Sequence, residues 1–380
     1  MAELRKVAAI SGALYGILAA LVFVGVTSVA RGEESDFFKI DTIASGLDHP
    51  WSIAFLPGGD LLVTERAGRL RLIKDGALVD APIANTPDTY ARSQGGYFDI
   101  VLHPDFAQNQ IIYLSFAHGS PDANTTRIVR ARYTGTALED VRVIFDTAPT
   151  KDTPVHYGGR MAFLPDGSLL MTTGDGFNYR EDAQRKNNRL GKTIRILDDG
   201  SVPDDNPFNA DSDADKTIWT YGHRSPQGLA VDRESGIIYQ HEHGPRGGDE
   251  VNILEAGKNY GWPIATYGID YSGAIISPFT HYKNTEQPIH HWTPSIATSG
   301  LAIYRGDLFS AWDGDLLIGG LVTKALHRLE MKDGKVQGET RYLEGLDTRI
   351  RDVRIGPDGA IYVTTDEGQG KVLRLTPKDR

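Results

Sequence analysis

Short β-rich runs recur in pairs along this chain, and each pair flanks a compact polar turn. The first phrase is Ile53-Ala-Phe-Leu-Pro-Gly-Gly-Asp-Leu-Leu-Val-Thr64, and the second is Ile100-Val-Leu-His-Pro-Asp leading to Ile111-Ile-Tyr-Leu-Ser115. Then come Met161-Ala-Phe-Leu-Pro-Asp-Gly-Ser-Leu-Leu-Met-Thr172 and Leu229-Ala-Val-Asp-Arg-Glu-Ser-Gly-Ile-Ile-Tyr239. A looser fifth copy joins Leu301-Ala-Ile-Tyr to Asp315-Leu-Leu-Ile-Gly319, and the sixth is Val353-Arg-Ile-Gly-Pro-Asp-Gly-Ala-Ile-Tyr-Val-Thr364. Pro-Asp-Gly between two such runs presets φ at Pro and admits positive φ at Gly, so each phrase predicts a hairpin. Spacings of roughly 45 to 75 residues suit the blades of a β-propeller. The pattern therefore predicts an all-β, six-bladed propeller over residues 43–380.

In such a blade the first strand lines the axis and the second returns beside it. The loop leading into the first strand and the loop leaving the second then open on one face. The leading loops carry Gln94-Gly-Gly96, His156-Tyr-Gly-Gly-Arg160, Arg224-Ser-Pro-Gln-Gly228 and Arg349-Ile-Arg351. The leaving loops carry Glu65-Arg66, Gly174-Asp175, Glu242-His-Gly-Pro-Arg-Gly-Gly-Asp-Glu250, Lys324 and Asp366-Glu367. Both sets converge on one predicted funnel, where a rigid scaffold usually places its chemistry.

Composition narrows the partners. The chain is 40% hydrophobic and 24% charged, as soluble globular proteins are. A net charge of -10 argues against nucleic acid and against an anionic membrane surface. Against that acidic background Arg224, Lys324, Arg349 and Arg351 fall on one predicted face and suit a small anionic ligand. The absence of cysteine excludes disulfides, thiolate metal sites and a C-x-x-C-H haem attachment. At the N-terminus, Arg5 and Lys6 precede an apolar stretch from Val7 to Ala30 that ends in small residues at Ser28 and Ala30. Residues 1–30 read as an export signal peptide, with an uncleaved membrane anchor as the alternative, followed by a short linker over 31–42. Either way the propeller works outside the cytoplasm, in the periplasm.

The Gly-rich loop from Glu242 to Glu250 brings backbone carbonyls close to any ligand, and Ca²⁺ accepts carbonyl oxygens. A tight connection with incidental charges is the plainer reading. A Zn²⁺ site at His241 and His243 is a rival without a visible third ligand. His156 and Asp175 bracket one blade, so the carboxylate can orient the imidazole for general-base work. A lone structural histidine is the alternative. Arg349 and Arg351 alternate and share one side of an extended segment, fit either to grip carboxylates or to pair with Asp347 and Asp352 on the surface. The acidic run Asp204-Asp205 and Asp211–Asp215 imitates a calcium loop but has Lys216 and Gly222 where an EF-hand needs Gly and Glu, so it reads as a solvated insertion. His290, His291 and Trp292 read as packing, or Trp292 as the wall of a sugar or quinone pocket.

Taken in order, His156-x-Gly-Gly-Arg160, Gly174-Asp175, Leu190-Gly-Lys192, Arg224-x-x-Gln-Gly228, Glu242–Glu250, Asn259-Tyr-Gly-Trp-Pro263 and Arg349-x-Arg351 resemble the soluble quinoprotein glucose/sorbosone dehydrogenases. The likeness is strongest to the aldose sugar dehydrogenases that use pyrroloquinoline quinone (PQQ), and it runs from about Ile43 to Leu375. It implies a six-bladed propeller that oxidises the anomeric hydroxyl of aldose sugars and passes electrons to an external acceptor. It also implies His156 as base with Asp175 as partner, and backbone oxygens of Gly244 and Pro245 on a Ca²⁺. Arg224 would lie near the reacting quinone carbonyl, with Lys324, Arg349 and Arg351 holding the cofactor. Gln94 and Asp249 would line the same pocket, and Trp292 the substrate entrance. Ser225 departs from the family's usual Asn after the arginine. A calcium-dependent propeller lactonase and a non-catalytic binding propeller are the rival readings.

Overall fold

The computed structural model describes residues 30–31 and 37–378, and in them six sheets stand around one axis, each with four antiparallel strands; the fifth blade also carries the short strand Ala30–Arg31, parallel to Lys335–Tyr342. The innermost strands are Pro50–Phe55, Tyr97–Leu102, Gly158–Phe163, Pro226–Val231, Thr298–Ile303 and Ile350–Ile355. Each packs against the next, and the last returns to the first, closing the ring. This is the six-bladed propeller that the repeat predicts.

The shared turn explains why the phrase repeats. Leu164 N donates to Ser168 O (2.8 Å) and Gly167 N to Leu164 O (3.0 Å), and the first and sixth blades repeat this pair of bonds. Gly167 sits at φ +84 with open space around it, so the turn demands glycine for its backbone angle and not for room. The second strands, such as Leu61–Glu65 and Leu169–Thr173, are buried along their whole length because a blade packs on both faces.

The ring closes with a strand that the repeat does not announce. Phe38–Leu47 pairs with Gly370–Pro377, from Phe38 opposite Pro377 to Leu47 opposite Gly370, and so forms the outer strand of the sixth blade. The segment 31–42, expected as a linker, thus contributes to the propeller at Arg31, opposite Arg341, and again from Phe38. Half of this strand is exposed and its buried positions are scattered, which is why no apolar run marks it. Its start is pinned by aromatic packing: Phe37 stacks on Trp312 (5.2 Å), and Phe38 meets Tyr342 edge-on (5.2 Å). Residues 1–29, read as signal or anchor, lie outside the described residues. Among those described, no helix is long and apolar enough to cross a membrane.

Charged residues cross the axis at one level. Arg354 donates to Asp99 (2.7 Å) and to Asp352 (2.9 Å), and Ser52 Oγ donates to Asp99 (2.6 Å). Arg160 Nη1 lies 2.8 Å from Asp352 Oδ1 as a close ion pair whose N–H directions miss the oxygen. Two arginines thus neutralise two buried aspartates on the innermost strands.

Candidate active site

His156 and Asp175 meet as their flanking loops predict. His156 Nδ1–H donates to Asp175 Oδ1 at 2.6 Å, leaving Nε2 as the ring nitrogen not committed to the carboxylate. Asp175 is held in turn by Phe177 N (2.8 Å, on Oδ1) and Trp262 Nε1 (2.7 Å, on Oδ2). Burial pushes the imidazole pKa below its usual value despite the carboxylate, so His156 is a neutral base. Burial would raise Asp175, but His156 and Arg224 outweigh it and hold the carboxyl below the ordinary range. An ionised acid orienting a neutral imidazole is the arrangement that general-base work needs.

Two spaces adjoin this pair. An open cleft of about 290 Å³ is lined by His156, Asp175, Phe177, Arg224, Trp262 and Tyr271, with Pro245 at its edge. Phe177 stands edge-on to His156 (5.2 Å) and stacks with Tyr271 (6.4 Å), giving the cleft an aromatic wall. Next to it, a cavity of about 180 Å³ is walled by Trp51, Phe98 and Tyr157 and carries Arg66, Arg349 and Arg351. Gln94 also lines it, and Gln94 Oε1 accepts the His156 N–H at 2.8 Å. Both arginines of the Arg349-x-Arg351 pair bind Asp366, at 3.3 and 2.6 Å, rather than Asp347 or Asp352. Arg351 is mostly buried, and its Nε has no hydrogen-bond partner. A buried, unspent cationic donor on an aromatic cavity suits a flat polyanion.

Arg224 sits where the cleft meets the Gly-rich loop from Glu242 to Glu250. Its Nη1 donates to Gly244 O (2.7 Å) and His243 O (3.1 Å), and its guanidinium lies over Trp262 (5.3 Å) and Tyr271 (5.8 Å). A Cβ on Gly244 would fall 2.2 Å from the Gly248 carbonyl oxygen, so only glycine lets the loop fold back this tightly. Ser225 is buried and accepts His243 N through its backbone carbonyl (3.1 Å).

Three expected site residues lie elsewhere. Trp292 is buried between the fourth and fifth blades, its indole N–H on Glu339 (3.1 Å), because it falls on the inward face of an outer strand; Phe177, Trp262 and Tyr271 are the aromatics at the cleft. Asp249 braces the loop instead of lining the pocket. Its Oδ1 accepts Gly244 N (3.0 Å), and its Oδ2 accepts Ser295 Oγ, Ile296 N and Ala297 N at 2.7 to 3.0 Å. Lys324 is half exposed, donates to Asp347 (2.7 Å) and stands outside the cavity lining.

The rival sites dissolve in the same way. His241 and His243 direct Nε2 at different carbonyls, Gly300 O (3.4 Å) and Thr298 O (2.6 Å), and no third metal-ligating side chain joins them among the described residues. Asp205, Asp211 and Asp215 pair with Arg195, Lys186 and Arg189. His291 stacks on Tyr267 at 3.9 Å. A lactonase's axial acids would have to be free for metal, yet Asp99 and Asp352 are tied to arginines. Sequence reasoning missed Phe177, Tyr271 and Trp51, which sit in no repeated phrase. It quoted Arg66 and Trp262 only as parts of loops and motifs.

Comparison with known proteins places the chain in a family and agrees with the fold. Residues 47–374 match the Glucose / Sorbosone dehydrogenase family. The chain is 42% identical to the aldose sugar dehydrogenase YliI of Escherichia coli over 90% of its length and 93% of the relative's. The apo-form crystal structure of the soluble aldose sugar dehydrogenase from that organism superposes with a TM-score of 0.87 at 41% identity, covering 90% of this chain and all of that one. A PQQ-bound aldose sugar dehydrogenase from Streptomyces coelicolor superposes at 0.74 with 28% identity, covering 90% and 98%. With residues 47–374 matched by the family and 42% identity to a relative over most of both chains, this chain belongs to the glucose/sorbosone dehydrogenase family.

Proposed function

We propose that this member of a sugar-oxidising family converts the C1 hydroxyl of aldoses to the lactone, with PQQ as cofactor and Ca²⁺ as metal. The observation that carries this is the position of the His156–Asp175 pair between an open cleft and a cationic aromatic cavity. PQQ is a flat, carboxylate-bearing quinone, and the unpartnered Arg351 Nε, Arg349, Arg66 and Gln94 are the groups that would hold it. Bound there, it supplies a two-electron acceptor for the C1 hydride.

This chain's own residues do the rest. The sugar occupies the cleft, where its C–H faces stack on Phe177 and Tyr271. His156 Nε2 accepts the C1 hydroxyl proton, while Asp175 keeps Nδ1 protonated and the ring in place. Arg224 holds positive charge at the border of cleft and metal loop, where it opposes the negative charge that develops during oxidation. Gly244 and Pro245 offer neutral carbonyl oxygens, a donor set that suits Ca²⁺ better than Zn²⁺. The Gly244 oxygen already accepts from Arg224, so an ion held there would have to share it with the guanidinium.

The protein acts in the periplasm on this reading, exported or tethered by residues 7–30, and hands electrons to an external acceptor. The deciding experiment adds PQQ and Ca²⁺ to purified protein and follows the absorbance, then adds glucose. A bound-quinone band that sugar converts to its reduced form supports the assignment. A protein that binds no quinone, or whose bound quinone ignores every aldose offered, sinks it.

A further inference from the structure

Lys151 lies in the loop leading to the third blade, 3% exposed, and the proposed reaction leaves it without a role. Its Nζ donates to Asn124 Oδ1 (2.9 Å) and to the Thr153 carbonyl (2.5 Å), and rests 3.4 Å from the centroid of the Tyr157 ring. Three N–H donors thus meet two oxygens and a π face, a site built for the ammonium form. Tyr157 OH donates to the same Asn124 oxygen (2.8 Å), so lysine and tyrosine are locked to one acceptor. Reciprocal backbone bonds between Asn124 and Lys151 (2.8 and 2.9 Å) fix the base of the side chain.

The two neighbours of this lysine belong to the two halves of the site. Tyr157 walls the cationic cavity. On the other side, a Cβ on Gly176 would fall 2.7 Å from Lys151 Cδ, and Thr153 Oγ1 donates to Gly176 O (2.6 Å), so the lysine stem packs under the loop that carries Asp175.

We propose that Lys151 is a positioning residue for cofactor binding: clamped behind Tyr157, it holds that ring against the cavity and lends the cavity a buried positive charge. This rests on the reading of that cavity as the quinone site. Burial pushes the Lys151 pKa down to about 7, opposed by Asp175 and Asp152, so the charge is present below neutrality and fades above it. Among the groups around it, burial pushes His156 below its usual value, His156 and Arg224 hold Asp175 below the carboxylate range despite its burial, and burial raises Tyr157 while the bond from Tyr179 to Asp152 raises Tyr179.

The test titrates the full chain with PQQ in saturating Ca²⁺ at about pH 6 and about pH 8.5, following bound-quinone absorbance, for wild type and Lys151→Met. Wild type should bind PQQ several-fold more weakly at the higher pH. Lys151→Met should bind about tenfold more weakly at the lower pH and lose the pH step, with kcat at saturating PQQ changing less than affinity. Thermal unfolding reports whether the variant folds; if it does not, the wild-type pH step and a Tyr157→Leu variant, which removes the ring, decide. A wild-type affinity that is flat across the window, or a Met variant that keeps the wild-type step, overturns the role of Lys151 alone. Absence of any PQQ binding by wild type overturns the cofactor reading and this inference with it.

Discussion

Arg224 Nη1 donates to the Gly244 carbonyl oxygen at 2.7 Å, and that oxygen is also a proposed Ca²⁺ ligand. A carbonyl has two lone pairs and can serve both partners in geometry. Two cations on one oxygen nevertheless repel, so loading the metal should loosen the guanidinium. Because Arg224 lies over the Trp262 ring, Ca²⁺ should change tryptophan emission, and chelation should reverse the change. Arg224→Gln should abolish that response, and chelation should inactivate the loaded enzyme. Activity restored equally by Zn²⁺ would instead favour His241 and His243, whose Nε2 atoms are already committed to separate carbonyls.

His156→Gln should leave PQQ binding near wild type and lower kcat by roughly 10² or more, the usual scale for loss of a general base. The pH profile carries a second check. The base works when neutral, and burial holds the His156 pKa below the ordinary imidazole value. The acid limb of kcat should therefore fall at a pH lower than free histidine would give. A limb at or above the ordinary histidine value would contradict the buried, neutral base, as would a Gln variant with wild-type turnover.

The fold was legible because its turns are. Pro-Asp-Gly at the same place in two blades, and Pro-Gly-Gly-Asp in a third, encode a hairpin through backbone angles alone, and the flanking runs are buried on both faces. His156 and Asp175 were legible for a related reason: they flank the two strands of one hairpin, so topology alone brings them together. Asp249, Lys324 and Trp292 were not. Their sequence neighbourhood places them near the funnel, but the direction of each side chain depends on partners remote in sequence: Ser295 to Ala297, Asp347 and Glu339. Phe177 and Tyr271 lie in irregular loops, where no periodicity says which way a ring points.

The arginine pair should affect the cofactor more than the chemistry. Arg351→Ala should weaken apparent PQQ affinity about tenfold or more, the scale of a charge-assisted hydrogen bond. Arg349→Ala should cost less, because its side chain is 46% exposed against 11% for Arg351. Saturating PQQ should recover much of the rate in both, and Lys should be a poor substitute at Arg351. Titration of apo-protein with PQQ, read by sugar-dependent dye reduction, measures all three. Curves that match wild type for both Ala variants would remove the pair from the site.

Asp352 tests the axis on which the funnel stands. Its carboxylate accepts the Ile53 N–H of the first blade (3.0 Å) and Arg354 Nε (2.9 Å), and faces Arg160 of the third blade at 2.8 Å. One buried side chain thus joins three blades. Its loss leaves an orphaned backbone N–H and surplus buried positive charge, because Asp99 alone cannot balance Arg160 and Arg354. Asp352→Leu should therefore cost about 3 to 5 kcal/mol in urea unfolding, the range for breaking a buried pair. Arg132 and Glu139 form an ion pair on an exposed face, where Glu139→Ala should cost no more than about 1 kcal/mol. Replacing Asp352 and Arg160 together by Leu and Met should recover part of the loss, since the uncompensated charge goes with the arginine. A double variant no more stable than Asp352→Leu would show that the bond to Ile53 between the blades, and not charge balance, is what Asp352 contributes.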